Sequence, residues 1–170
     1  ILDRLKNRDE FEIMHLDNDI RKDIKARSEM LNGSDISILC LPEGAAREAV
    51  ELIDNNQTKV IDASIAHRVD PDWVYGFPEY KPDQREVIAD AKRVTNPGCY
   101  ACASIAIIYP LVKLGILPAD FPVTINAVSG YTGGGKSLIR SFEDKTSEDY
   151  TNQQFFLYGL SLTHKHVPEI

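Results

Sequence analysis

The six residues Ile36 to Leu41 (Ile-Ser-Ile-Leu-Cys-Leu) form a near-continuous apolar run, broken at once by Pro42-Glu43-Gly44. Such a run marks a strand covered on both faces, as the strands of a buried parallel sheet are. Its neighbours fit that frame. Asp19 to Leu31 carries apolar residues at helical spacing (Ile20, Ile24, Met30, Leu31) and stops at Asn32-Gly33. Ala45 to Ile53 reads as a second helix, with Ala49, Val50, Leu52 and Ile53 on one face. Lys59 to Asp62 is a short strand ending in an acid, and Glu12 to Leu16 is a strand candidate upstream. Strands alternating with helices predict a parallel sheet with right-handed crossovers. Ligands bind such sheets at the carboxyl ends of the strands, where Leu41-Pro42-Glu43 and Asp62-Ala63-Ser64 lie.

Beyond Asp62 the character changes. Residues 63–82 form a long segment rich in aromatic residues, Pro and Gly, of the kind that serves as a lid or an interdomain connection. A helix is predicted over Asp83–Lys92, a strand over Val94–Asn96, and an apolar helix over Cys99–Leu114 with Pro110 inside it. Pro122–Val128 reads as a strand, Gly130–Lys136 as a glycine loop and Ser137–Phe142 as a short helix. Phe155–Leu162 fits either a strand or an extended loop.

Composition excludes several classes. Of 170 residues, 43% are hydrophobic and 26% charged, which is ordinary for a globular chain. A net charge of −7 with dispersed bases argues against nucleic-acid binding. No stretch approaches the roughly 20 apolar residues of a membrane helix. Three cysteines (Cys40, Cys99, Cys102) suit a reducing compartment better than a disulfide scaffold. The chain opens on Ile1-Leu2-Asp3-Arg4 without a leader and closes on Val167-Pro168-Glu169-Ile170, so both ends read as cuts.

Four groups of residues could carry chemistry. In Asn96-Pro97-Gly98-Cys99-Tyr100, a tight turn places Cys99 in the first turn of a helix, where unpaired N–H groups and the dipole favour a thiolate. A buried structural cysteine is the plainer reading, and Cys99-x-x-Cys102 also fits a redox pair. Gly130 to Ser137 matches the P-loop pattern of Gly, four residues, then Gly-Lys-Ser, and so allows a nucleotide-binding protein. The gentler reading is a glycine loop that lets backbone approach a ligand. His164 and His166 could be a general acid/base paired with the cysteine, or simply structural; no third ligand suggests a metal. Arg68, just past a strand end, could grip a phosphate or carboxylate, or form a surface ion pair.

Taken in order, these stretches resemble the N-acetyl-gamma-glutamyl-phosphate reductases, in their shorter type 2 form, within the semialdehyde dehydrogenase family. Asn96 to Tyr100, Ser129 to Lys136 and His164 to Ile170 carry the resemblance, supported by Cys40-Leu41-Pro42, Ile61 to Ser64, Ala66-His67-Arg68 and Trp73 to Glu79. It implies an α/β fold: a Rossmann-type NADP-binding domain over 1–98 and an α+β catalytic and dimerisation domain over 99–170, both incomplete here. The family's first strand and glycine-rich pyrophosphate turn are expected before Ile1, and further catalytic-domain sheet after Ile170. The implied reaction is NADPH-dependent reduction of N-acetyl-γ-glutamyl phosphate to the semialdehyde, with release of phosphate, in arginine biosynthesis. Cys99 would form a thioester, Arg68 and Asn96 would assist the phosphate, and His166 rather than His164 would move the proton. Ser129, Gly130 and Gly133 would line the nicotinamide side of the cofactor cleft and Leu41-Pro42 another wall. The implied enzyme is cytoplasmic, a homo-oligomer (dimer or tetramer), with a small-molecule substrate and no nucleic-acid, membrane or metal partner. Cys102 stands where the family leads one to expect a small or hydroxyl residue.

Overall fold

A computed structural model describes residues 1–170. Its centre is a four-stranded, fully parallel sheet of β1 (Ile36–Leu39), β2 (Lys59–Asp62), β3 (Val74–Tyr75) and β4 (Arg93–Thr95) in the order β1-β2-β4-β3. The register sets Leu39 beside Asp62, Asp62 beside Thr95, and Thr95 beside Tyr75. All four strands therefore end along one edge, which the alternation of strands and helices predicts.

The helices are α1 (Leu2–Leu5), α2 (Ile24–Asn32), α3 (Glu43–Glu51), α4 (Gln84–Asp90), α5 (Cys99–Lys113) and α6 (Gly135–Glu143), with a 3-10 turn at Tyr131–Gly134. Helix α2 starts later than its apolar spacing suggests because Asp23 caps it, its carboxylate accepting the Ala26 N–H at 2.7 Å. Arg27 of α2 pairs with Glu48 of α3 at 2.6 Å, and Asn32 donates to the Leu52 carbonyl at 2.8 Å. These contacts lay both helices over the core, where Leu39, Ala49 and Val60 are buried beneath Leu31, Val50, Ile53 and Trp73.

Several expectations need correction. β1 is covered on one face only: successive side chains point to opposite faces, so Ser37 and Leu39 are buried while Ile36 and Ile38 are exposed. Glu12–Leu16 and Pro122–Val128 are irregular, not strands. Each has strand-like composition but no neighbour to bond, and a strand exists only through its ladder. Phe155–Leu162 is likewise irregular. The two-residue β3, inside the segment expected to be a lid or an interdomain connection, is the element sequence reasoning missed in the sheet. No helix is long and apolar enough to cross a membrane.

Candidate active site

The site grows from the carboxyl edge of the sheet. After β4, the Asn96 N–H donates to the Asp62 carbonyl at 2.7 Å and the chain turns through Pro97. Gly98 then caps α5 in an extended conformation. Cys99 is the first helical residue and is exposed, and the first intrahelical bond runs from the Cys102 N–H to the Gly98 carbonyl at 2.9 Å. The amides of the first turn thus point outward beside an accessible sulfur, an arrangement that suits an oxyanion formed next to it. Cys102, one turn on, is half-buried. Burial first, then the charges of Glu169 and Cys99, push its thiol up, so it stays protonated.

The last turn of the chain closes on this helix start. The Val167 N–H donates to the His164 carbonyl at 2.9 Å and the Ile170 N–H to that of His166 at 3.1 Å. His164 Nδ1 accepts the His166 N–H at 3.2 Å, which fixes the half-buried ring as an acceptor at that atom. His166 is buried against Gly98: a methyl group on Gly98 would overlap the imidazole Nε2 and come within 2.7 Å of Glu169 Oε2. Glycine is needed here because backbone and imidazole share the space a side chain would fill. Burial lowers the His166 pKa, with His164, Arg68 and Lys165 adding to the effect and Glu169 opposing it. A neutral imidazole, able to take a proton at neutral pH, is the result. Its Nδ1 is buried without a partner. The structure therefore brings Cys99 and His166 to one junction and leaves His164 at its rim.

Glu169, for which the sequence suggested no role, ties the junction together. Its Oε1 accepts the Gly98 N–H at 2.7 Å and the Tyr75 hydroxyl at 3.0 Å; its Oε2 pairs with Arg68 Nη1 at 3.2 Å. Burial, then the Glu169 charge, pushes the Tyr75 pKa up, so its hydroxyl remains a donor. Arg68 Nη2 donates to the Ala63 carbonyl at 3.1 Å, and Nε is buried without a partner. Asn96, by contrast, is exposed, with only a 3.4 Å contact from its amide to the Pro97 carbonyl. Behind this layer His67 Nδ1 and the Asp62 carboxylate lie 2.7 Å apart, both buried, and Ser64 donates to Asp62 from its N–H and hydroxyl. The His67 ring stacks on Trp73 at 4.1 Å, which holds the segment after β2 against the sheet.

A cleft of about 660 Å³ opens beside His166, with Tyr100, His164, Tyr158 and residues 121 and 123–127 in its wall. A second, of about 590 Å³, lies on the side of Arg68, Tyr75 and Glu169. Cys99 sits at the surface, outside both walls.

The residues expected at a dinucleotide divide into two places. Leu41 and Pro42 follow β1 at the sheet edge, and Leu41 is exposed. Pro42 caps α3 without a side-chain hydrogen bond, and a Cβ on Gly44 in its first turn would meet nothing within 4 Å. Open amides and open space there fit a cofactor lying along the edge. Ser129, Gly130 and Gly133 form an exposed loop that bonds only to itself and to α6. A Cβ on Gly133 would come within 2.9 Å of Ser129 Oγ. This loop follows irregular backbone rather than a strand, so the strand–loop–helix setting of a P-loop is absent. Asp62, the acid at the end of β2, is engaged by His67 and Ser64. No group of three or more His, Cys, Asp or Glu side chains is placed to hold a metal ion.

Comparison with known proteins gives this geometry a family. Residues 5–88 match the semialdehyde dehydrogenase NAD binding domain, and residues 99–170 match the semialdehyde dehydrogenase dimerisation domain. The chain belongs to the semialdehyde dehydrogenase family. It is 52% identical, over 98% of its length, to the N-acetyl-gamma-glutamyl-phosphate reductases of Brucella ovis, Brucella canis and Brucella melitensis biotype 2. It spans 54% of each of those relatives, about half their length. No solved structure matches the chain.

Proposed function

We propose that the protein containing this chain reduces N-acetyl-γ-glutamyl phosphate to N-acetylglutamate semialdehyde with NADPH, in arginine biosynthesis. The observation that carries the reading is the junction itself. In a chain 52% identical to reductases of that name, an exposed Cys99 heads α5 at the carboxyl edge of a parallel sheet, beside a buried His166 of lowered pKa.

In this reading Cys99 attacks the acyl carbon, and the carbon–oxygen bond to phosphate breaks to leave a thioester. The open amides of the first turn of α5 hold the carbonyl oxygen as it gains charge. The exposed Asn96 amide meets the departing phosphate, while Arg68 stays paired with Glu169. Leu41, Pro42, Ser129, Gly130 and Gly133 would hold NADPH, which supplies the hydride. His166 gives a proton to the resulting oxyanion and takes it back as the carbon–sulfur bond breaks, with His164 at the rim. The division between the two domains falls at 98/99, and the active species is a cytoplasmic homo-oligomer, a dimer or tetramer.

The test is the reverse reaction of the full-length protein: N-acetylglutamate semialdehyde, phosphate and NADP should yield NADPH, with NAD a poorer acceptor. Undiminished turnover by Cys99→Ser would overturn the mechanism, and no turnover by the unaltered protein would overturn the function.

A further inference from the structure

Arg68 and Glu169 stand 101 residues apart in sequence yet form the most buried pair of oppositely charged long side chains in the protein, 10% and 1% exposed. Both flank the helix start that carries Cys99. A guanidinium meant to grip a leaving phosphate keeps its donors turned to the site. Here Nη1 is bonded to Glu169, Nη2 to the Ala63 carbonyl, and Nε is sealed in without a partner. Presenting its fork bidentately to a phosphate would require breaking the contact with Glu169 and leaving a nearly enclosed carboxylate without its cation. The carboxylate, in turn, is bonded to the Gly98 N–H and the Tyr75 hydroxyl, and it lies against the space a Gly98 side chain would fill.

We propose that Glu169 is a positioning residue for the nucleophile, and that Arg68 acts through it rather than on the phosphate. Glu169 holds the N–H of the residue before Cys99, and so sets the angle at which α5 presents its sulfur and its open amides. Tyr75 ties the same carboxylate to the sheet edge. Arg68 holds it in place, 3.2 Å away, and offsets its charge beside Cys99. His166, three residues before Glu169 in the same turn, is placed over Gly98 by the same anchor. The proposal rests on the acyl-phosphate reading for its kinetic consequences, though not for its geometric one.

The experiment uses full-length protein and the variants Glu169→Gln, Glu169→Asp, Arg68→Ala and the Glu169→Gln/Arg68→Ala pair. In the reverse reaction, kcat should fall about 10- to 100-fold in Glu169→Gln and in Arg68→Ala, with KM for inorganic phosphate within about threefold of the parent. The pair should be no worse, within about threefold, than the poorer single variant, since both break one contact. Glu169→Asp, which keeps the charge on a shorter arm, should fall between the parent and Glu169→Gln. A rise of tenfold or more in phosphate KM in Arg68→Ala, or losses that multiply in the pair, would overturn the proposal in favour of a direct phosphate grip. Amide exchange gives a readout independent of turnover. Protection at Gly98 and Cys99 should drop about tenfold in either single variant, and no further in the pair, while residues 59–62 of β2 stay protected. Unchanged protection at Gly98 would overturn the proposal even if kcat falls. Should the unaltered protein fail to turn over, the proposed function fails, and the exchange data still decide for or against the positioning role.

Discussion

Residues 24–113 and 114–170 hold themselves together differently. The first region has a parallel sheet, helices capped and cross-linked over it, and a small core at Leu39, Ala49 and Val60. The second has one regular α-helix, and leaves Phe155, Leu157, Leu160, Leu162 and Val128 mostly or fully exposed. Its buried residues are few, and one of them is His166, beside the Glu169 side chain that is almost wholly enclosed. The weakly packed region is thus ordered where it touches the site. The difference teaches that the sheet edge carries Cys99, the proposed nucleophile, on a firm base, while the second region is fixed to it chiefly through one turn, residues 164–170.

That contrast can be broken at its strongest point first. Cys99→Ser should lower turnover of the full-length protein by about 10⁴-fold, whereas Cys102→Ser should stay within about threefold, because only the first thiol is both exposed and backed by open helix amides. Equal losses would make the helix, rather than its first residue, the functional unit. Next, His166→Asn should cost about 10²- to 10³-fold in kcat and His164→Asn about tenfold or less; the reverse order would move the site outward to the rim. Stability sharpens the regional difference further. Leu39→Ala in the core should cost about 2–3 kcal/mol by denaturant unfolding, while Ile125→Ala, on the exposed irregular segment, should stay within about 0.5 kcal/mol. Similar costs would show that residues 122–128 are packed in solution.

The smallest expected effect is a pH dependence. His166 has a folded pKa below its ordinary value of about 6.5, through burial and the nearby His164, Arg68 and Lys165, against the opposing pull of Glu169. The unfolded chain therefore binds its proton first on acidification. Its contribution is neutral above about pH 6.5 and becomes destabilising as pH falls below that value. Denaturant midpoints measured downward from pH 7.5 should show this loss, and His166→Asn should reduce it.

The sheet was legible because its signals are local. Ile36–Leu39 is largely apolar, Lys59–Asp62 and Arg93–Thr95 carry β-branched residues, and all three are bounded by turns, separated by helical spacing and pair in parallel. What failed was strand character without a neighbour: Glu12–Leu16 and Pro122–Val128 look right residue by residue but have no ladder. The two-residue β3 escaped notice for the opposite reason, since so short a strand is made by its partner rather than by its own sequence. The helix start at Cys99 was readable from turn chemistry, and His166 was a candidate from the resemblance. The links that join them were not: Tyr75 to Glu169 spans 94 residues and Gly98 to Glu169 spans 71, and nothing in either local sequence announces such a pairing. Arg68 was visible as a special residue, but its commitment to Glu169 was not.

The bond between Arg68 and Glu169 also bears on the order of assembly. It closes a loop of 101 residues, the longest-range side-chain contact among the hydrogen bonds of the chain. The entropy lost in closing such a loop has to be met before its contacts can form. The sheet, built from closer pairings, can form before residue 169 has been synthesised. A growing or cleaved chain that lacks residues 164–170 would then display a folded sheet and an unanchored Cys99, which would gain its alignment only once that turn is in place.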